Sequence, residues 1–134
     1  MSSPSETIRA EVSGWPGTTE APHRFGGVEF NLGTREIGHL HGDRLLDVPF
    51  PRRMRDALIA DGRAEPHHVL PQSGWVSFRI RSPADTEAAV ALLRLSYDVI
   101  AGQLERRRAQ KSAIGSNRPV AGNESKQSAG QPAD

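Results

Sequence analysis

VEFNLGTREIGHLHGDRLLDV, residues 28–48, decides the fold. Val28, Phe30 and Leu32 alternate with Glu29 and Asn31, the period-two pattern of a strand with one buried face. Gly33 turns the chain into Arg35 to His41, and Gly42-Asp43 turn it again into Leu45 to Val48. Three short strands separated by glycine turns predict an antiparallel meander. Within it, His39 and His41 stand two residues apart, so strand parity places them on one face with Arg35 and Ile37. Gly38 and Gly42 flank the pair. A glycine within a strand marks a bulge or a close approach by backbone or ligand.

Upstream, Ser3-Pro4-Ser5-Glu6 reads as a capping box, with proline at the first helical position. Ile8 and Val12 follow one turn apart, and Gly14 and Pro16 end the helix. His23 to Phe25 then leads into Gly26-Gly27, an expected tight turn. Downstream, Pro49-Phe50-Pro51 closes the meander and starts a second helix at about Pro51. Met54, Ala57 and Leu58 give that helix one apolar stripe, and Gly62 is its natural stop. Glu65 to Pro71 is expected to be extended, because residues before proline avoid the helical region.

Trp75 to Arg81 is the strongest strand pattern of the chain. Val76, Phe78 and Ile80 point one way; Trp75, Ser77, Arg79 and Arg81 point the other. Ser82-Pro83-Ala84-Asp85 repeats the opening grammar and starts a final helix. Its stripe is Val90, Leu93, Tyr97, Ile100 and Leu104, widened by Leu92 and Leu95. From about Ala109 the chain is Ser, Gly, Asn, Gln, Ala and Pro with no aromatic residue, a composition that does not offset chain entropy. The expectation is a single α+β domain over residues 1–108 and a disordered polar tail over 109–134. Its sheet is twisted and antiparallel, of about five strands, with helices packed on one face.

A chain of 134 residues supports one modest core. Residues 1–98 hold 11 basic and 13 acidic side chains, and residues 99–134 hold 6 and 3, so the excess of positive charge lies at the C-terminal end. The globular part is therefore not a basic nucleic-acid module. The absence of cysteine removes disulfides, thiolate catalysis and cysteine-rich zinc sites together. MSSPSETIRAEV lacks a basic start followed by an apolar run, and no apolar stretch approaches the ~18 residues that span a bilayer. A cytoplasmic protein without nucleic-acid or membrane partners is expected.

Two imidazoles at i and i+2 on a strand can approach one metal ion. Gly33 to His41 also fits the first half of the cupin pattern, a glycine, five residues, then His-x-His. The acid that the pattern requires a few residues later is missing, since Leu45 and Leu46 stand there. A metal would need a third ligand from His67, His68, Glu29 or Asp47. The bland alternative is one half-buried strand histidine and one at the surface. PHHVLPQSGW, residues 66–75, is the second concentration; on an extended segment His67 and His68 point to opposite faces, so at most one reaches the first pair. Trp75 and Arg79 form a third candidate, able to stack on a ligand and to bind an anionic or enolic group. No GxGxxG, P-loop, GxSxG or HExxH signature is present.

FGGVEFNLGTREIGHLHGDRLLDVPFP, GRAEPHHVLPQSGWVSFRI and the ALLRLSYD helix together resemble the luciferase-domain family, small bacterial proteins that share a region with fungal luciferase. The likeness covers roughly His23 to Asp98. It implies a compact α+β domain. Fungal luciferase oxidises a hydroxylated pyrone with molecular oxygen and needs neither metal nor organic cofactor. Carried over by position, the resemblance implies a shared pocket of Glu36, His39, His41, Asp47, His67, His68 and Trp75. The additional membrane-associated N-terminal part of the fungal protein has no counterpart in these residues.

The expected function is accordingly small-molecule binding, with a cofactor-independent oxidative enzyme as the finer reading and neither metal nor cofactor required. His39, His41 and His68 are the expected catalytic groups. Glu36, Asp47, His67, Trp75 and Arg79 are the expected ligand contacts, with Glu36 or Asp47 orienting an imidazole. The alternatives are a non-catalytic interaction domain with structural histidines, recruiting a partner through its basic tail, and a histidine-based metal-binding module.

Overall fold

The computed structural model describes residues 2–23 and 26–116. Contacts divide the chain into a compact unit of residues 1–101 and a second unit of residues 102–134. The elements run α1 (Pro4–Ser13), β1 (Thr18–Pro22), β2 (Val28–Leu32), β3 (Arg35–His41), β4 (Leu45–Pro49), α2 (Arg52–Ala60), β5 (Glu65–Pro66), β6 (Trp75–Arg79) and α3 (Thr86–Ser116). A single 3-10 turn, Pro83–Asp85, precedes α3. The sheet is antiparallel, with strand order β1-β2-β3-β4-β6-β5. The α+β class is as expected.

Both capping boxes form. Ser3 Oγ accepts from the Glu6 amide while Glu6 accepts from the Ser3 amide. Before α3, Asp85 accepts from the amides of Arg81 and Ser82. These caps satisfy donors that the first turn of any helix leaves free. Ile8 and Val12 bury the inner face of α1, and Leu58 is the buried residue of α2.

Alternation along the strands builds two unlike faces. Leu40 pairs with Leu46, and Leu46 with Phe78; Val48 pairs with Val76. Leu40, Leu46, Val48 and Val76 are at most 1% exposed. Helix α3 closes on this side, as the surroundings of Gly38 show. A Cβ there would stand 2.6 Å from Leu93 Cδ2 and 3.0 Å from the Asp47 carbonyl oxygen. Gly38 therefore serves the close packing of a helix side chain, and not the approach of a ligand. Gly42 (φ +64°) has open space around it and serves the β3–β4 turn.

Three expectations change. The sheet has six strands, because β1 forms at Thr18–Pro22 and Glu65–Pro66 adds a short edge strand. His23 follows the end of β1, and Arg24 and Phe25 lie outside the described residues. Strand β6 ends at Arg79 and not at Arg81, because the Arg81 amide turns to the Asp85 carboxylate. Helix α3 continues to Ser116, although disorder was expected from 109. Ala109, Gln110, Lys111 and Ala113 are strong helix formers and carry the helix past the expected boundary. The remainder of the expected tail, residues 117–134, lies outside the described residues.

Candidate functional site

The opposite face of the same strands carries the polar groups. His39 stands directly across from Asp47, and Asp47 directly across from Ser77. In an antiparallel pair such partners project to the same side, so Asp47 is placed between a histidine strand and a serine strand by register alone. Asp47 is fully buried. Its Oδ1 accepts a hydrogen bond from Ser77 Oγ at 2.7 Å. Around its Oδ2 lie four imidazole nitrogens: Nε2 of His41 and His68 at 3.0 Å, of His39 at 3.2 Å and of His67 at 3.4 Å.

A β-bulge adds the next group. Phe30 pairs with Gly38 and Asn31 with Glu36, which leaves Ile37 as an extra residue on β3. Strict alternation would turn Glu36 away from His39; the extra residue brings Glu36 Oε2 to 2.6 Å from His39 Nδ1. Ile37 stays fully buried. His39 thus has a carboxylate at each ring nitrogen and carries both protons. Burial by itself would depress its pKa, but the hydrogen bonds to Asp47 and Glu36 raise it to about 9. Burial likewise opposes ionisation of Asp47, yet hydrogen bonds from His39, Ser77 and His68 hold its carboxyl well below the ordinary range.

The sequence expectation for His67 and His68 fails here. Both rings reach Asp47, because β5 is only two residues long and the chain then bends out of the sheet. The bend folds back on His67, whose Nδ1 accepts from the amides of Val69 (3.1 Å) and Leu70 (2.9 Å). An imidazole nitrogen that accepts carries no proton, so the His67 proton sits on Nε2, facing Asp47. Burial lowers the His67 pKa. Arg55 of α2 anchors the same segment by donating to the Pro71 carbonyl.

His23 was not among the expected site residues, yet its ring stacks on His39 with centroids 3.9 Å apart. Its amide donates to the Gly27 carbonyl. Gly27 (φ +87°) lies so close to β3 that a Cβ would be 1.9 Å from the Leu40 carbonyl oxygen, so only glycine fits. Burial and the neighbouring His39 lower the His23 pKa. The signal that could have found it is the short run Thr18–Pro22, whose pairing with β2 carries His23 to the end of β3. All five histidines of the chain therefore meet at one place.

The cluster floors an open cavity of about 400 Å³, with Trp75, Val69 and Leu70 among its walls. The Trp75 ring stands 5.2 Å from that of His39. Val69 and Leu70 are 66% and 55% exposed, so the rim is apolar and the floor polar. Arg79 is not part of it. Its guanidinium faces Glu65 across the β5–β6 edge at 3.7 Å, away from the cavity. Two depressions beside α1, of about 440 and 530 Å³, are larger but hold no histidine.

An antiparallel α+β domain whose sheet presents a histidine–carboxylate cluster in a half-apolar cavity is the class that fold and site define. The family model of the Luciferase domain matches residues 34–96, the part of the chain that carries most of the motifs. The match spans Glu36, His39, His41, Asp47, His67, His68, Trp75 and Ser77, and leaves His23 outside. No curated protein and no solved structure matches the chain. No helix among the described residues is long and apolar enough to cross a membrane.

Proposed function

We propose that the domain binds a small organic molecule in the cavity and handles protons on it with the imidazoles of the floor. The observation that carries this reading is the convergence of four Nε2 atoms on one buried carboxylate oxygen beneath an apolar rim. Burying an ion pair is costly against an apolar core of the same shape, so a cluster of this kind argues for use and not for stability. Trp75 supplies a flat apolar wall on which a planar molecule can stack. His41 and His68 each donate Nε2–H to Asp47 in their neutral form. Their Nδ1 atoms have no hydrogen-bond partner among the described residues, which leaves a free lone pair as a base. Glu36 and Asp47 orient His39, and His67 offers a fixed N–H donor.

The finer reading, from the resemblance to fungal luciferase, is an oxidative enzyme that acts on the bound molecule with molecular oxygen. A screen of planar hydroxylated ring compounds by thermal shift tests the binding reading. At a hundred times Kd a ligand should stabilise the fold by ~2.7 kcal/mol. His41→Ala, His68→Ala and Trp75→Ala should each abolish the shift. Unchanged shifts in all three variants would discard the cavity as the binding site and favour a partner protein docking on the exposed Val69 and Leu70.

A further inference from the structure

We propose that His39, His41 and Asp47 bind a divalent first-row transition-metal ion, through Nε2, Nε2 and Oδ2, with an open coordination position toward the cavity. This goes beyond the organic-ligand reading and does not depend on it, since it stands on ligand geometry. It also departs from the cofactor-free activity that the family resemblance implies.

The three ligand atoms lie within 4.8 Å of one another. Asp47 Oδ2 is 3.2 Å from His39 Nε2 and 3.0 Å from His41 Nε2. Around an ion with bonds of ~2.0–2.1 Å, neighbouring ligand atoms stand ~2.9–3.4 Å apart, so these separations already match the edges of a coordination polyhedron. His39 and His41 come from one strand, and Asp47 stands opposite His39 on the next. The sheet backbone therefore fixes all three without help from a loop. Pairing between strands supplies the acid that is missing at Leu45 and Leu46.

The surrounding groups are those a metal site needs. His39 donates its Nδ1–H to Glu36 Oε2 at 2.6 Å, the contact that orients a ligating imidazole and raises its basicity. Ser77 occupies Oδ1 of Asp47 and leaves Oδ2 for the ion. That oxygen is otherwise oversupplied. It has about two lone-pair directions, and four ring nitrogens crowd it within 3.4 Å. A cation beside it turns surplus donors into ligands: His39 releases its Nε2 proton to solvent and keeps Nδ1–H on Glu36, and His41 moves its proton from Nε2 to Nδ1.

A second trio, Asp47 with His67 and His68, is also close enough to be considered. The His67 ring rules that set out: Nδ1 accepts two backbone amides, so Nε2 keeps its proton and has no lone pair to give. His68 is left to meet a metal-bound water or an organic ligand. Two imidazoles with one carboxylate suit zinc, iron, cobalt or nickel, and not calcium or magnesium, which take oxygen ligands.

The test uses full-length protein purified without a polyhistidine tag, stripped with a chelator and titrated with Zn²⁺ or Co²⁺ alone. One ion per chain is expected. X-ray absorption of the Zn²⁺-loaded wild type should show two imidazole ligands, a measurement that needs no variant to fold. His41→Ala should remove stoichiometric binding, Glu36→Gln should weaken it ~10–100-fold, and His67→Ala should leave it within a few-fold. Absence of stoichiometric binding, one imidazole ligand or none, unchanged affinity in His41→Ala, or loss in His67→Ala would each overturn the site. An organic ligand that stabilises the stripped protein while no ion binds would end the metal proposal and leave the cavity reading standing.

Discussion

The two faces of β3 and β4 are built from alternate residues of the same few positions and could hardly differ more. Toward α3, Leu40, Leu46 and Val48 are at most 1% exposed and pair with apolar residues across the strands. On the other side, Asp47 is equally buried and is surrounded by imidazoles. The first face is held by many small, interchangeable contacts. The second is held by one carboxylate, whose loss no neighbour can cover. Stability and chemistry are thus separated by a single step in strand parity.

That contrast can be broken most forcefully at Asp47. Asp47→Ala in metal-free protein should cost about 3–5 kcal/mol in urea unfolding, because the imidazoles lose their shared acceptor and His39 its charge partner. A cost below about 1 kcal/mol would show that the cluster is not coupled. One residue away, Leu46→Ala should cost about 2–5 kcal/mol through lost burial and a cavity. It should leave the imidazole proton resonances in place, whereas Asp47→Ala should move them all.

The pH dependence of the metal-free protein separates the faces further. His39 is raised to about 9 in the fold, against ~6.5 unfolded. Its contribution, on the order of 3 kcal/mol, is fully present below pH ~6.5 and disappears as pH rises through about 9. Asp47 is lowered, so its contribution is present above ~3.9 and is lost as pH falls below that. His23 and His67 are lowered and act in the opposite sense to His39, losing stability as pH falls through ~6.5. The stability difference between wild type and His39→Gln isolates the first effect and should shrink between pH 6.5 and 9. A difference independent of pH across that window would contradict the double carboxylate contact of His39.

Smaller effects sharpen the boundary of the site. Glu36→Gln should bring the His39 titration down, as followed by ring-nitrogen NMR, at a stability cost of about 1 kcal/mol. Arg79→Ala, at an exposed edge pair, should change stability by less than about 0.5 kcal/mol and leave cavity binding untouched. A binding defect in that variant would return Arg79 to the site.

The sequence alone carried the parts of this protein that are local. The capping boxes at Ser3 and Ser82 and the alternation of Val28–Leu32 and Trp75–Arg79 need only neighbours within a few residues. The shared face of His39 and His41 rests on strand parity, and the absence of cysteine bounds the chemistry. Tertiary structure decided how these pieces meet. Register alone set Asp47 between His39 and Ser77, and a bulge that no periodicity reveals turned Glu36 onto the histidine face. The out-of-sheet bend let His67 and His68 both join, the close approach of Gly27 to the Leu40 carbonyl laid His23 over His39, and Arg79 came to stand beside Glu65 at the β5–β6 edge. Periodicity reports which way a side chain points from its own strand; which side chains meet depends on pairings between strands distant in the chain, and only the folded sheet makes those.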